Sequence, residues 1–217
     1  MQENEFEKKL CNYQKRAEEW TRKDFSSKRF DKEQNTTIKF VVPLLEVLGW
    51  SPLSNNEEVE FEYAVCDRKN NNKMGRVDIA LYVGDSDKPK IIVEIKRIHE
   101  KELGTGRQVL QYLRASGIKY GIYTNGKEIR FIDNRTPVKF IPEGLFIIKV
   151  KDFVKYKKVL SALTKESVQA GKLDKLVKCF HSKEFWQFIK QKEEGKKKSE
   201  KADTKYRLRL EYAEGKL

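Results

Sequence analysis

Apolar residues at Phe6, Leu10, Tyr13, Ala17 and Trp20 recur in steps of three and four, a spacing that predicts a helix with one buried face. A second helix is predicted from near Asp31, turning Ile38, Val41, Val42, Leu45 and Leu48 inward. Pro43 interrupts it or marks a new first turn, and Gly49 closes it. The period then changes. Val59 to Val65, Arg76 to Val83 and Ile91 to Ile98 read as strands, and a helix is expected from Gly104–Gly106 to about Ser116. Tyr120 to Thr124 and Glu128 to Ile132 flank Asn125-Gly126, a dipeptide suited to a tight hairpin turn. Leu145 to Val150 is a last strand, and Phe153 to Leu163 and Leu173 to Ile189 are helical. The alternation of strands and helices predicts an α/β fold with a helical C-terminal region. Two segments are expected, 1–150 and a basic helical extension 151–217, with an exposed or mobile tail from about Lys190.

Composition narrows the class. The 217 residues include 38% hydrophobic and 36% charged positions, and no apolar run approaches the roughly 20 residues that span a bilayer. The charged N-terminal stretch lacks a signal-peptide pattern, and Cys11, Cys66 and Cys179 show no metal or disulfide spacing, so a cytoplasmic protein is expected. The net charge is +13, of which residues 151–217 carry +9 (19 Lys/Arg against 10 Asp/Glu). Such an excess concentrates polyanions, nucleic acid foremost, although a solvated lysine surface has the same composition.

Acidic-x-Lys triplets are common in so charged a chain, but Glu94 and Lys96 interrupt the apolar run Ile91 to Ile98. On a strand they share one face, where burial is costly unless the charges are paired, metal-bound or in a cleft. Asp78 interrupts a second apolar run, Val77 to Leu81. A hairpin turning over Gly84 to Pro89 about Ser86 sets Asp78 opposite Glu94. Two facing carboxylates repel, which a divalent cation such as Mg²⁺ resolves. The competing reading is an Asp–Lys–Glu ion pair at a sheet edge. Both stay open on spacing alone.

An Asp followed on the next strand by Glu-x-Lys resembles the PD-(D/E)XK nuclease superfamily. The closer resemblance is to the N-terminal nuclease domain of type I restriction enzyme R subunits. It is carried by Glu33 to Thr37, Val42 to Trp50, Gly75 to Leu81, Val93 to Lys96, Gln108 to Tyr112 and Thr124 to Gly126, in that order. The resemblance implies a restriction-endonuclease-like three-layer core: a central mixed β-sheet flanked by helices. It implies Mg²⁺-dependent hydrolysis of DNA phosphodiester bonds, with Mn²⁺ as a substitute, by a free-standing endonuclease or the nuclease subunit of a restriction or defence assembly. Asp78 and Glu94 are then metal ligands, with Ile95, which has only main-chain atoms to offer, as a third ligand position. Lys96 positions the attacking water or offsets phosphate charge. Glu33 reaches a second ion or a metal-bound water, or is simply a carboxylate favoured at a helix N-terminus. Gln108 and Tyr112, four apart on one helix face, contact a phosphate or support Glu94 and Lys96, unless Tyr112 serves packing alone.

Two departures from the family pattern matter. Val77 stands where the superfamily has Pro, and no Gly-x-x-x-x-Gly-Lys-Ser/Thr loop is present, so ATP-driven translocation is not expected of this polypeptide. The expected partners are DNA and either helicase or methyltransferase subunits or a second copy of the chain. The rival function is a nucleic-acid-binding module of nuclease-like fold that acts only with a motor or methyltransferase partner. His99 is expected at the surface, and Phe185, Trp186 and Phe188 in the core or an interface.

Overall fold

The computed structural model describes residues 3–22, 32–54, 57–98, 106–136, 144–193 and 207–215. Its centre is a six-stranded mixed sheet in sequential order β1 to β6. The strands are β1 (Val59–Cys66), β2 (Lys73–Leu81), β3 (Ile91–Ile95), β4 (Tyr120–Thr124), β5 (Glu128–Asp133) and β6 (Phe146–Lys149). All neighbours are antiparallel except β3 and β4. That parallel pair requires a crossover, which α4 (Gly106–Ser116) provides.

Helices cover both faces, giving the three-layer α/β architecture that the alternating pattern predicts. On one face α1 (Glu3–Arg22) and α3 (Val42–Val47) pack with Ile79, Leu81, Ile91, Val93 and Ile95. The same buried cluster includes residues of α5 (Lys157–Ser161), α6 (Lys165–Gln169), α7 (Lys172–Phe180), α8 (Lys183–Glu193) and α9 (207–215). On the other face Val109, Leu110, Tyr112 and Leu113 of α4 pack over Val77, Ala80, Ile92 and Tyr123. Close approach there depends on Gly121, where an added Cβ would stand 2.6 Å from Val109 Cγ1.

Several boundaries differ from the sequence reading for identifiable reasons. Strand β2 starts three residues earlier than expected because Lys73 to Gly75 pair with β1 through their main chains, which apolar periodicity does not report. The predicted helix over Leu173 to Ile189 is two helices. They divide at His181 and Ser182, where the Ser182 hydroxyl accepts from the Phe185 amide and starts a new helix. Helix α6 begins similarly, Thr164 Oγ1 accepting from the Ser167 amide at 3.2 Å. The second helix begins at Glu33 as a short α turn, α2 (Glu33–Thr36), and passes through a π-helical turn, Thr37–Val41, into α3, with Pro43 in the first turn of α3. The hairpin around Asn125-Gly126 forms with a longer loop than the tight two-residue turn expected, since Thr124 pairs with Ile129: Asn125 Oδ1 accepts from the amides of Lys127 and Glu128, and Gly126 has φ 80°.

His99, Gly104, Thr105 and positions 194–206 of the expected tail lie outside the described residues; Lys190 to Lys192 continue α8. Phe185 is buried and Phe188 packs partly against the core, whereas Trp186 is exposed, with the Arg209 guanidinium 5.6 Å from its ring centroid. Among the described residues, no helix is long and apolar enough to cross a membrane, and the three cysteines are free.

Candidate active site

Strands β2 and β3 pair through Leu81 with Ile91, Ala80 with Ile92 and Ile79 with Val93. One step further along this register stand Asp78 and Glu94. The main-chain ladder stops there, because the Ile95 amide donates to Asp78 Oδ2 at 2.5 Å. A side chain thus occupies the place of the next backbone acceptor, and the two strands part into a notch bearing two carboxylates. Glu94 follows Ile92 on the face covered by α4, and Ile91, Val93 and Ile95 fill the opposite core. This two-residue alternation explains how charged positions sit inside an apolar run.

The notch is electrostatically strained. Glu94 is only 6% exposed. Its Oε1 accepts from Lys96 Nζ at 2.8 Å, whereas its Oε2 is buried and has no hydrogen-bond donor among the described residues. Burial pushes the Glu94 carboxyl above the usual carboxylate range. Lys96 counteracts the shift, and the neighbouring Asp78 and Glu33 add to it. Asp78 is raised for the same first reason, burial, against the opposing Ile95 hydrogen bond and Lys96. Burial acts to lower the Lys96 ammonium, but Glu94, Glu33 and Asp78 together outweigh it and hold the group above its ordinary value. One cation is therefore shared among three acids.

Glu33, the first residue of α2, stands 3.8 Å from Lys96 Nζ with a side chain 45% exposed. It is both a helix N-terminal carboxylate and a neighbour of the notch. Gln108 and Tyr112 bond each other, Nε2 to the phenol oxygen at 2.8 Å, and neither bonds to Asp78, Glu94 or Lys96 among the described residues. Tyr112 lies instead against β2: a Cβ on Gly75 would stand 2.1 Å from its hydroxyl oxygen. Glycine is needed at position 75 for that approach, which places the Gln108–Tyr112 pair three residues along β2 from Asp78.

Sequence reasoning missed Tyr123 and Arg130. Tyr123 is the in-register neighbour of Glu94 on β4, and Arg130 that of Tyr123 on β5, with its guanidinium 5.9 Å from the Tyr123 ring centroid. Arg130 also bonds Glu128 Oε1 at 2.7 Å. No local signal reports these neighbours, because the register of a parallel pair is set across a crossover.

Among the described residues, no group of three or more His, Cys, Asp and Glu side chains is assembled for metal binding. The notch offers two carboxylates and leaves other coordination positions to main chain, water or substrate.

No curated protein and no solved structure matches the chain. The family model described as Type I restriction enzyme R protein N terminus (HSDR_N) matches residues 39–143, just under half of the chain. Asp78, Glu94, Lys96, Gln108 and Tyr112 fall within the match, and Glu33 precedes it. The strands and crossover helix that build the notch thus lie within the stretch that is similar to the N terminus of type I restriction enzyme R proteins.

Proposed function

We propose that the protein is a divalent-metal-dependent nuclease that hydrolyses DNA phosphodiester bonds, with Asp78, Glu94 and Lys96 at its centre and Mg²⁺ as the metal. The observation that carries this reading is the unpartnered, buried Glu94 Oε2 beside Asp78. A buried carboxylate oxygen without a donor is expensive for a purely structural ion pair. It suits a cation that arrives later, and two carboxylates plus water and phosphate oxygens match the preference of Mg²⁺ for hard, partly hydrated coordination. The residues present fit the ion: Asp78 and Glu94 would hold it through carboxylate oxygens, with the Ile95 main chain adjoining. When bound, the metal supplies Lewis acidity toward a phosphate and lowers the pKa of coordinated water.

The chain's own groups divide the remaining work. The Ile95 amide fixes the Asp78 carboxylate, so its second oxygen keeps a defined direction. Lys96, anchored on Glu94 but 16% exposed, presents a compact positive charge to an incoming phosphate. Its raised pKa keeps it protonated at neutral pH, so it acts as a charge and proton donor and not as a general base. Glu33, whose side chain is far more exposed than that of Glu94, orients the ammonium or a water at the mouth of the notch. Gln108 and Tyr112 act through β2, as supports of the strand that carries Asp78, or on the substrate above it.

The family match supports DNA and other restriction–modification subunits as partners. The direct test incubates the purified protein with supercoiled, linear and single-stranded DNA in Mg²⁺ or in EDTA. Nicking or cutting in Mg²⁺ and none in EDTA is expected. Binding without cleavage, with or without added motor or methyltransferase subunits, would replace the enzyme by a binding module.

A further inference from the structure

The sheet face that bears Glu94 does not end at the notch. Continuing across it in register are Tyr123 on β4, Arg130 on β5 and Ile147 on β6. With strands about 4.8 Å apart, Arg130 lies roughly 10 Å and β6 roughly 15 Å from Glu94. There the face opens into a cleft of about 400 Å³ lined by Arg130, Lys149, Lys151, Lys155 and Arg207, against Glu128 and Asp152. Arg130 is matched by Glu128 and Arg207 pairs with Glu211 at 3.4 Å, so the three lysines, set against Asp152, are the excess. Lys149, Lys151, Lys155 and Arg207 are all exposed.

Three separate elements build this cleft. Lys149 ends β6, in register with Glu128. Lys151 and Lys155 follow on the 3-10 turn Val150–Asp152 and the segment after it, and Arg207 opens α9. Helix α9 is held at the sheet edge by Arg209, whose Nη1 donates to the carbonyl of Gly144 at 2.7 Å, and by buried Leu208 and Leu210. The cations are therefore set on fixed backbone, and a concave wall with an excess of positive charge focuses the field they produce.

We infer that this cleft binds the sugar–phosphate backbone of the DNA strand whose scissile phosphate enters the notch. The inference rests on the nuclease reading above and extends it to a surface on β5, β6 and α9. The separation fits the same strand: at about 3.4 Å of rise per nucleotide, 10–15 Å is three to four nucleotides from the point of cleavage. The contacts are to phosphates, so they add affinity without sequence preference.

The test compares Lys149→Ala/Lys151→Ala/Lys155→Ala with an equal-charge control, Lys172→Ala/Lys175→Ala/Lys183→Ala, whose lysines are exposed on α7 and α8. Circular dichroism checks folding. Anisotropy of a labelled duplex, in EDTA across a NaCl series, gives the slope of log K against log salt. Three lost phosphate contacts should make the slope shallower by about 2.7, and the control should keep the wild-type slope. A cleft variant with the control's slope overturns the inference. So does a cleft variant that loses binding to polyglutamate and not to DNA, which would assign the surface to an acidic protein. Cleavage in Mg²⁺ separates this from the nuclease reading. A wild type that cuts while the cleft variant keeps its slope retires the cleft alone. A wild type that never cuts while the slope still falls retires the nuclease and keeps the phosphate surface.

Discussion

Lys96→Ala is expected to slow Mg²⁺-dependent DNA cleavage by at least about a hundredfold, the order of loss when one preorganised charge is removed from an active site. The physical reason lies in the number of groups this ammonium serves. It is the sole hydrogen-bond donor to Glu94 among the described residues, and it stands within 3.8 Å of Glu33. Without it Glu94 keeps two buried oxygens and no protein partner. Stranding one member of a buried ion pair costs about 3–5 kcal/mol if the group stays ionised. The carboxyl escapes part of that cost by taking up a proton. Glu94 is raised already by burial, and loss of Lys96 raises it further. The sign of the pH dependence follows. A carboxyl whose folded pKa exceeds its unfolded value favours folding fully below the unfolded value, and that contribution is lost as pH rises through the folded one. The thermal-stability deficit of Lys96→Ala should therefore be larger at about pH 8 than at about pH 5. Wild-type cleavage by this variant would remove Lys96 from the site.

Asp78→Asn is expected to lose cleavage by about 10²–10⁴-fold while making the metal-free protein more stable. Asp78 is raised chiefly by burial, so at neutral pH its ionised form opposes folding. The asparagine amide oxygen can still accept from the Ile95 amide, so the local geometry survives. A gain on the order of 1 kcal/mol, or about 2–4 °C in Tm for a chain of this length, is the expected size in EDTA. Adding Mg²⁺ should raise the Tm of the wild type and leave the variant unmoved. A variant that melts lower than wild type in EDTA would mean that the carboxylate serves structure and not function.

Much of this site was legible in the chain because a β-hairpin is a local object. The turn over Gly84 to Pro89 sets a register that places Asp78 beside Glu94, and strand alternation puts Glu94 and Lys96 on one face. The notch itself was not legible. It depends on the Ile95 amide choosing a side-chain acceptor over the next backbone carbonyl. Nor was the neighbourhood of Tyr123 and Arg130, which a parallel crossover brings up from some 30 residues away. Gly75 read as part of a motif, and its need for glycine emerges only with the Tyr112 hydroxyl pressed against it. In the C-terminal region, helical spacing found the apolar faces of α7 and α8 but not α9. That helix buries Leu208, Leu210 and Ala213 in the main core, so removing residues 191–217 would disturb packing as well as charge. The basic excess of the region is likewise divided by the fold, with Lys151, Lys155 and Arg207 drawn to one cleft.

The Glu94 carboxylate, half satisfied by Lys96, is proposed to complete its coordination with a metal ion that serves DNA hydrolysis. The most direct measurement is single-turnover cleavage by Glu94→Gln in Mg²⁺, at protein concentrations that saturate the DNA as judged by anisotropy. Glutamine preserves size and can still accept from Lys96, but it carries no charge for a cation. DNA binding equal to wild type, with cleavage slower by at least about a hundredfold, is expected. Cleavage by Glu94→Gln at the wild-type rate would rule out a metal ion held by Glu94.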